Sequence, residues 1–385
     1  MKHIPYGRQS INTSDIQAIT KSIKNDLITT GSQVHKFEKN LKKYLGSKYV
    51  TVCSSGTAAL HLAILSINIK PGDVFIIPSI NFVSICNILT LHKAHIYLSD
   101  VDPLTGQMTP KDLLNCIKKN KIKKIKGFVT MYLGGSPNNN IEFYKIKKKF
   151  KCLMIEDACH ALGAEYIYKR NFFKVGSCKH SDISVFSLHP LKSITTGEGG
   201  IISTSNKYIY NSSIMMRSHG IIRKKPNKNW LYDVKCVGLN YRLSDINCAL
   251  GISQLKRLNQ FIKKRRSIVI EYFKKIKTSD KIYIPDQYNK LSAWHLFKLN
   301  INFKKLNINK DILLNRFLKK KISLQQHYIP IYKFQIYKKL KLRNENFLGA
   351  ESYYKNSISF PIFYDLKNKQ QDKIINLINQ IESKK

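Results

Sequence analysis

Short apolar runs and amphipathic stretches alternate along the first two-thirds of the chain. Tyr49-Val50-Thr51-Val52-Cys53 predicts a strand, and Thr57 to Ile67 behind it predicts a helix. Val74 to Ile77 predicts a second strand, stopped by Pro78. Further strands are expected at His95 to Leu98, Gly127 to Tyr132, Cys152 to Ile155, Ile183 to Phe186 and Gly200 to Ser203. Helical segments such as Pro110 to Lys119 lie between several of them. This alternation predicts an α/β domain built on a large, mostly parallel mixed sheet. No internal repeat and no Pro/Gly/Ser linker interrupts it.

From Leu243 the pattern changes. Leu255, Leu258 and Ile262 recur at helical spacing, and the stretch to Ile276 holds no Gly or Pro except Gly251. A long helix there would carry the chain into a second unit. Beyond it, His295 to Ile301 predicts a strand, and Asp311 to Leu318 and Ile374 to Ile381 predict helices. The expected division is a large domain over 1–260 and a smaller α+β domain over 261–385.

At 385 residues with 43% hydrophobic and 11% aromatic content, the chain can pack a core, which excludes a disordered basic tail. No apolar run is long enough for a membrane helix, and the start of the sequence lacks the apolar stretch and cleavage site of a secretory signal. Eight cysteines are scattered without C-x-x-C spacing, so reduced thiols in a cytoplasmic protein are expected, with neither disulfides nor a metal site.

The net charge of +42 raises a second reading, a basic nucleic-acid-binding regulator. The runs KKNKIKKIK (118–126), KIKKKFK (145–151) and KKRR (263–266) would be its footprint. The excess is mostly Lys spread over the whole chain, however. A solvated lysine-rich surface is the expectation, with neither nucleic acid nor membrane as partner. Such a surface still favours anionic small substrates.

Four features fall where open α/β sheets place ligands, after the carboxyl ends of predicted strands. Ser54-Ser55-Gly56-Thr57 turns from a strand into a helix whose first N–H groups suit a phosphate; alone it is also an ordinary helix cap. Asp157, in Glu156-Asp157-Ala158-Cys159-His160-Ala161, is a carboxylate at a buried strand end, suited to a protonated pyridine nitrogen or to capping the next turn. Lys192 lies in a Gly- and Thr-rich loop after Ser187-Leu188-His189-Pro190-Leu191, where a desolvated amine can condense with an aldehyde. Phe82 follows the Val74 strand and could stack on a flat ring or pack in the core.

Together these residues describe a pyridoxal 5′-phosphate site. With Arg217-Ser218-His219-Gly220 and Asn240-Tyr241-Arg242-Leu243 in the same order, the chain resembles the DegT/DnrJ/EryC1/StrS sugar aminotransferases almost end to end. Leu188 stands where Phe is common in that family. The lysine at 192 argues against a related dehydratase branch that carries His there.

The resemblance implies the pyridoxal-phosphate transferase type I fold and transfer of the amino group of L-glutamate to the C4 keto group of a nucleotide sugar. It implies Lys192 and Asp157 as catalytic residues. Gly56, Thr57, Phe82, His160, Ser187 and Asn240 would join them around the cofactor, with Asn240 reaching the neighbouring subunit of a homodimer. Tyr6, the segment Asp26-Leu27-Ile28-Thr29-Thr30-Gly31 and the segment Gln326-His327-Tyr328-Ile329-Pro330-Ile331-Tyr332 carry a closer likeness to members that act on UDP-linked 4-keto-6-deoxy-N-acetylhexosamines in pseudaminic acid biosynthesis; by that likeness Tyr6, Asp26, Leu27, Ile28, Thr29, Gln325, Gln326, His327 and Tyr328 are the expected substrate contacts. Perosamine- or bacillosamine-type keto sugars are the alternative substrates.

Overall fold

All seven strands expected in the first two-thirds form, and they join in one sheet. The computed structural model describes residues 3–223, 230–285, 287–342 and 346–382. The strands are β1 (Tyr49–Cys53), β2 (Val74–Pro78), β3 (His95–Ser99), β4 (Gly127–Met131), β5 (Leu153–Asp157), β6 (Ile183–Ser187) and β7 (Gly200–Thr204). Their spatial order is β1-β7-β6-β5-β4-β2-β3. Only β7 runs against its neighbours, pairing antiparallel with β1 and β6. The other pairs are parallel, so their carboxyl ends share one edge.

Both faces of the sheet are covered, which is why β4 and β7 are buried along their whole length, with Thr130, Ser203 and Thr204 taken inside beside Phe128, Val129, Ile201 and Ile202. Eight helices do the covering: α1 (Thr13–Ile23), α2 (Ser32–Leu45), α3 (Gly56–Ser66), α4 (Ser84–Leu91), α5 (Pro110–Lys119), α6 (Asn140–Phe150), α7 (Lys207–Arg217) and α8 (Asp245–Lys275). Side chains alternate across a strand. Val50 and Val52 of β1 therefore join Phe37, Leu41 and Ile252 in one core, while Cys53 joins Ala59 and Leu62 in the other.

The helix α8 runs unbroken for 31 residues, so the expected division near residue 260 falls inside it. Its start is tied down: Ser244 caps it, and the Asp245 carboxylate accepts the Gly31 and Gln33 N–H groups at 2.7 and 2.8 Å, at the N-terminus of α2. Its end enters a separate core with Tyr272, Phe297, Phe317 and Phe360. There a three-stranded antiparallel sheet, β8 (Ile282–Tyr283), β9 (Phe297–Ile301) and β10 (Ser357–Phe360), packs with helices at Lys310–Lys319 and Asn368–Asn379. The N-terminal segment joins this unit, because Ile4 pairs with Ile322 and lies in the same core.

Several boundaries shift by a residue or two from expectation, the strand expected at Cys152 to Ile155 running on to Asp157, and two of the shifts have a visible cause. The strand expected from His295 starts at Phe297, because the His295 and Leu296 amides bond to the Gly134 carbonyl instead of a ladder. The closing helix starts at Asn368, earlier than its apolar stripe, because the Gln370 side chain accepts the Lys367 N–H and caps a polar first turn. Two antiparallel hairpins, pairing Glu165–Tyr168 with Asn171–Lys174 and Ile221–Arg223 with Tyr232–Val234, were not anticipated.

Among the described residues no helix is long and apolar enough to cross a membrane, and no three His, Cys, Asp or Glu side chains gather to hold a metal. None of the eight cysteines is joined in a disulfide.

Candidate active site

A cavity of about 590 Å³ opens between the carboxyl ends of the parallel strands and the segments that follow α8. One wall is the first turn of α3. Ser55 caps it, its Oγ accepting the Ala58 N–H at 3.0 Å. The remaining first-turn N–H groups have no partner within the helix. The turn lies directly on the sheet: a Cβ on Gly56 would sit 2.9 Å from the Ser187 Cβ, and one on Gly200 only 2.1 Å from the Ser55 carbonyl oxygen. Around this turn gather Thr57, Ser84 and Ser187, with the Thr57 and Ser84 hydroxyls 2.9 Å apart. Backbone and hydroxyl donors meeting where glycines keep the space open fit a phosphate group.

The carboxyl end of β5 supplies two adjacent acids on opposite faces of the sheet. Glu156 points away from the cavity and is buried among the Tyr132 hydroxyl and Asn140 amide, both donating at 2.7 Å, and the Ser184 hydroxyl. Asp157 faces the cavity and accepts the Cys159 N–H at 3.2 Å. No cation forms an ion pair with it among the described residues. Burial pushes its carboxyl up, against hydrogen bonds from Cys159, the Lys192 charge and a hydrogen bond from Asn81. A cationic ring nitrogen beside it would supply the missing counter-charge.

Lys192 projects into the same cavity from the loop after β6. The loop is braced by its own side chains. Thr195 Oγ1 donates to the Leu188 carbonyl at 3.0 Å and accepts the Gly197 N–H at 2.9 Å, while the Asn247 amide on α8 holds the Thr196 carbonyl at 2.5 Å. Burial pulls the Lys192 amine down, opposed by Cys159 and Asp157 and helped by Arg265.

The segments beyond α8, the N-terminal segment and the loops after β2 and β5 close the cavity with a group of rings. His160 lies against His295 with centroids 4.1 Å apart and the rings tilted by 40°, accepts the Gly134 N–H on Nδ1 at 3.3 Å, and meets the Tyr328 hydroxyl through Nε2 at 3.1 Å. His327 bonds the Ser359 hydroxyl at 2.9 Å, and its ring lies 5.4 Å from Tyr6. Phe82 lies 5.8 Å from Tyr328. Burial first, and then the Lys192 charge, holds all three imidazoles low: His160 and His295 well below the usual range, and His327 at about 3. They are neutral at working pH.

The cavity thus brings together Tyr6, Gly56, Thr57, Phe82, Asp157, His160, Ser187, Lys192, Gln325, Gln326, His327 and Tyr328. It does not bring in Asp26, Leu27, Ile28 and Thr29. They form an exposed segment whose Ile28 carbonyl accepts the Asp245 N–H at 3.0 Å, with Thr29 bridged to Ser244. Asn240 is likewise exposed, bridged to Ser218 away from this cavity. Sequence reasoning missed Ser84, His189, Glu198 and above all His295, which line the cavity. Nothing local marks His295. It is delivered by the Gly134 contact, which joins residues 161 positions apart.

A sheet of this order, with a loop lysine and a buried carboxylate facing one cavity beside a phosphate-ready helix N-terminus, defines a pyridoxal-phosphate-dependent transferase of the type I fold. The DegT/DnrJ/EryC1/StrS aminotransferase family matches residues 9–379, and the chain belongs to that family, whose members are nucleotide-sugar aminotransferases. It is 35% identical over 388 residues, 98% of each chain, to the UDP-4-amino-4,6-dideoxy-N-acetyl-beta-L-altrosamine transaminase of Campylobacter jejuni subsp. jejuni serotype O:23/36. The protein of the same name from serotype O:2 is 33% identical over 390 residues, again 98% of each. Among solved structures, Helicobacter pylori PseC, an aminotransferase involved in the biosynthesis of pseudoaminic acid, superposes with a TM-score of 0.90 at 27% identity, covering 99% of this chain and all of the other.

Proposed function

We propose that this enzyme transfers the amino group of L-glutamate to the C4 keto carbon of a UDP-linked 4-keto-6-deoxy-N-acetylhexosamine, in the cytoplasmic steps of pseudaminic acid biosynthesis. The observation that carries the reading is one cavity holding Lys192, Asp157 and the α3 N-terminus. The named activity of relatives matched over nearly their whole length supports the substrate.

Pyridoxal phosphate, when bound, supplies the carbonyl that accepts the amino group and the electron-poor ring that stabilises carbanionic charge. The first-turn N–H groups at Gly56 and Thr57, with the Thr57 and Ser187 hydroxyls, would hold its phosphate. Asp157 would keep the ring nitrogen protonated, and Phe82 would cover the ring. His160, fixed by the Gly134 N–H, would pack beside it. Lys192 Nζ would hold the aldehyde carbon and, once released, carry the proton to and from the sugar C4 as general acid and base. Its lowered affinity for a proton suits both roles.

Tyr6, Gln325, Gln326, His327 and Tyr328 would receive the sugar nucleotide. The remaining expected residues act across a homodimer. Leu27, Ile28 and Val237 are apolar side chains left exposed, Val237 to 87%, and that exposure within or near the expected dimer segments supports such pairing. In it, Asp26 to Thr29 and Asn240 of one protomer would complete the partner's cavity. Within each protomer we infer a division into a large cofactor domain and a small domain along α8. The positive surface draws in the phosphate, the dicarboxylate donor and the diphosphate alike.

The test is direct. Incubated with pyridoxal phosphate, L-glutamate and a panel of UDP- and GDP-linked 4-keto sugars, the enzyme should form 2-oxoglutarate and the 4-amino-altrosamine nucleotide, identified by mass and NMR. Preferred turnover of a perosamine- or bacillosamine-type precursor would replace this substrate with that one.

A further inference from the structure

Arg217 and Arg257 each pair with a carboxylate, on Glu38 and Asp15. Arg265, on α8, is only 3% exposed and has no such partner among the described residues. Its Nη1 reaches the Trp294, His295 and Ile362 carbonyls at 3.4, 3.3 and 3.0 Å. Carbonyl dipoles solvate a cation without cancelling its charge. Burial brings the guanidinium down to about 10, so it stays charged across the working range. A buried cation without a counter-charge is costly, and perturbed charges of this kind cluster at functional sites.

Arg265 and Lys192 border one small cavity of about 10 Å³, together with Ser10, Thr195 and Gln254. That is room for about one water molecule, too little for a carboxylate or phosphate counter-ion. Two cations bordering one low-dielectric space each disfavour the other's charge, and a guanidinium holds its proton far more tightly than an amine does. The amine gives way.

We propose that Arg265 is a positioning residue for the reaction: its fixed charge keeps the free Lys192 amine unprotonated, ready to take the proton it must move. The inference rests on the role given to Lys192 above.

The other groups around Lys192 leave the decision to Arg265. Asp157 and Cys159, at the end of β5 and in the loop after it, favour the ammonium. Burial keeps the Cys159 thiol protonated, and the Asp157 charge is matched by the ring nitrogen when the cofactor is bound. His160, His295 and His327 are neutral, held so in part by Lys192 itself. Tyr6 and Arg8 of the N-terminal segment, His189 and Glu198 of the Lys192 loop, and Tyr328 complete the surroundings. Arg8 and Glu198 are exposed to solvent, which screens them.

Two measurements read the Lys192 amine. In the full chain freed of cofactor, acetic anhydride labels only the unprotonated amine, and peptide mass spectrometry gives the pH midpoint at position 192. In the holoenzyme, the acid limb of the glutamate half-reaction, followed by cofactor absorbance, reports the same base. Arg265→Met should raise both midpoints by about one pH unit, and below them the half-reaction should slow about tenfold. Arg265→Gln, which keeps an amide donor for the carbonyls, should shift them as far. Arg265→Lys, which keeps the cation but reaches fewer carbonyls, should hold both within about 0.3 unit of wild type. A helix merely loosened would move Arg265→Lys as much as Arg265→Met. Unmoved midpoints in Arg265→Met and Arg265→Gln, or an equal rise in Arg265→Lys, would overturn the inference. A holoenzyme inert to glutamate would instead overturn the aminotransferase reading, and the labelling midpoints would still decide the role of Arg265.

Discussion

Lys192 and Asp157 face one cavity from the ends of two adjacent parallel strands, β6 and β5, yet no ion pair joins them. Each is left with its charged form disfavoured by burial. A cofactor carrying an aldehyde toward the amine and a basic nitrogen toward the acid relieves both. Lys192→Ala should therefore lower turnover at least about a thousandfold and remove the visible absorption of lysine-bound pyridoxal phosphate. Normal turnover by the variant would reject the assignment.

Asp157→Asn keeps the shape but cannot hold a proton on the ring nitrogen by charge. Cofactor affinity should fall, and the glutamate half-reaction should slow by about a hundredfold or more in stopped-flow absorbance. An unchanged rate would remove Asp157 from the mechanism.

The strands and the motifs on them were legible in the sequence because they are local. A buried strand is an apolar run, and β4 and β7 are buried throughout. The turn from β1 into α3 carries its own cap and glycine. His295 was not legible, because it reaches the cavity through a backbone bond to Gly134 on a distant loop. The substrate segment Asp26 to Thr29 and Asn240 came only from family resemblance, and a single chain leaves them outside its own cavity.

The neutral imidazoles of His160, His295 and His327 make stability depend on pH. Below about pH 6.5 the unfolded chain binds protons that the folded chain refuses, so stability is lost as pH falls. For His327, held at about 3, the loss continues across that window at about 1.4 kcal/mol per pH unit. Thermal midpoints should drop between pH 6.5 and 5, and His327→Gln should flatten the slope. An identical slope in the variant would count against a buried neutral His327.

Arg217, from the Arg217-Ser218-His219-Gly220 motif, is a buried structural cation. Its guanidinium bonds Glu38 and the Val52 carbonyl, both at 2.7 Å, locking α2 and α7 to β1. Arg217→Met strands the Glu38 carboxylate and should cost about 3–5 kcal/mol in urea unfolding. A loss below about 1 kcal/mol would show that Glu38 finds other partners.

The homodimer reading makes Val237→Asp a sharp probe. Light scattering should shift toward monomer, and activity should fall with it, because the exposed segments would no longer reach a neighbour's cavity. A fully active monomer would exclude shared sites.

The long helix α8 acts as a strut. At one end Asp245 grips the start of α2; further along, Arg265 reaches the carbonyls of Trp294, His295 and Ile362, beyond the helix, at 3.0 to 3.4 Å. A rigid member pinned at both ends resists hinging. Any shift of the segments beyond α8 relative to the sheet would therefore have to carry this helix, and its grip on α2, along with it.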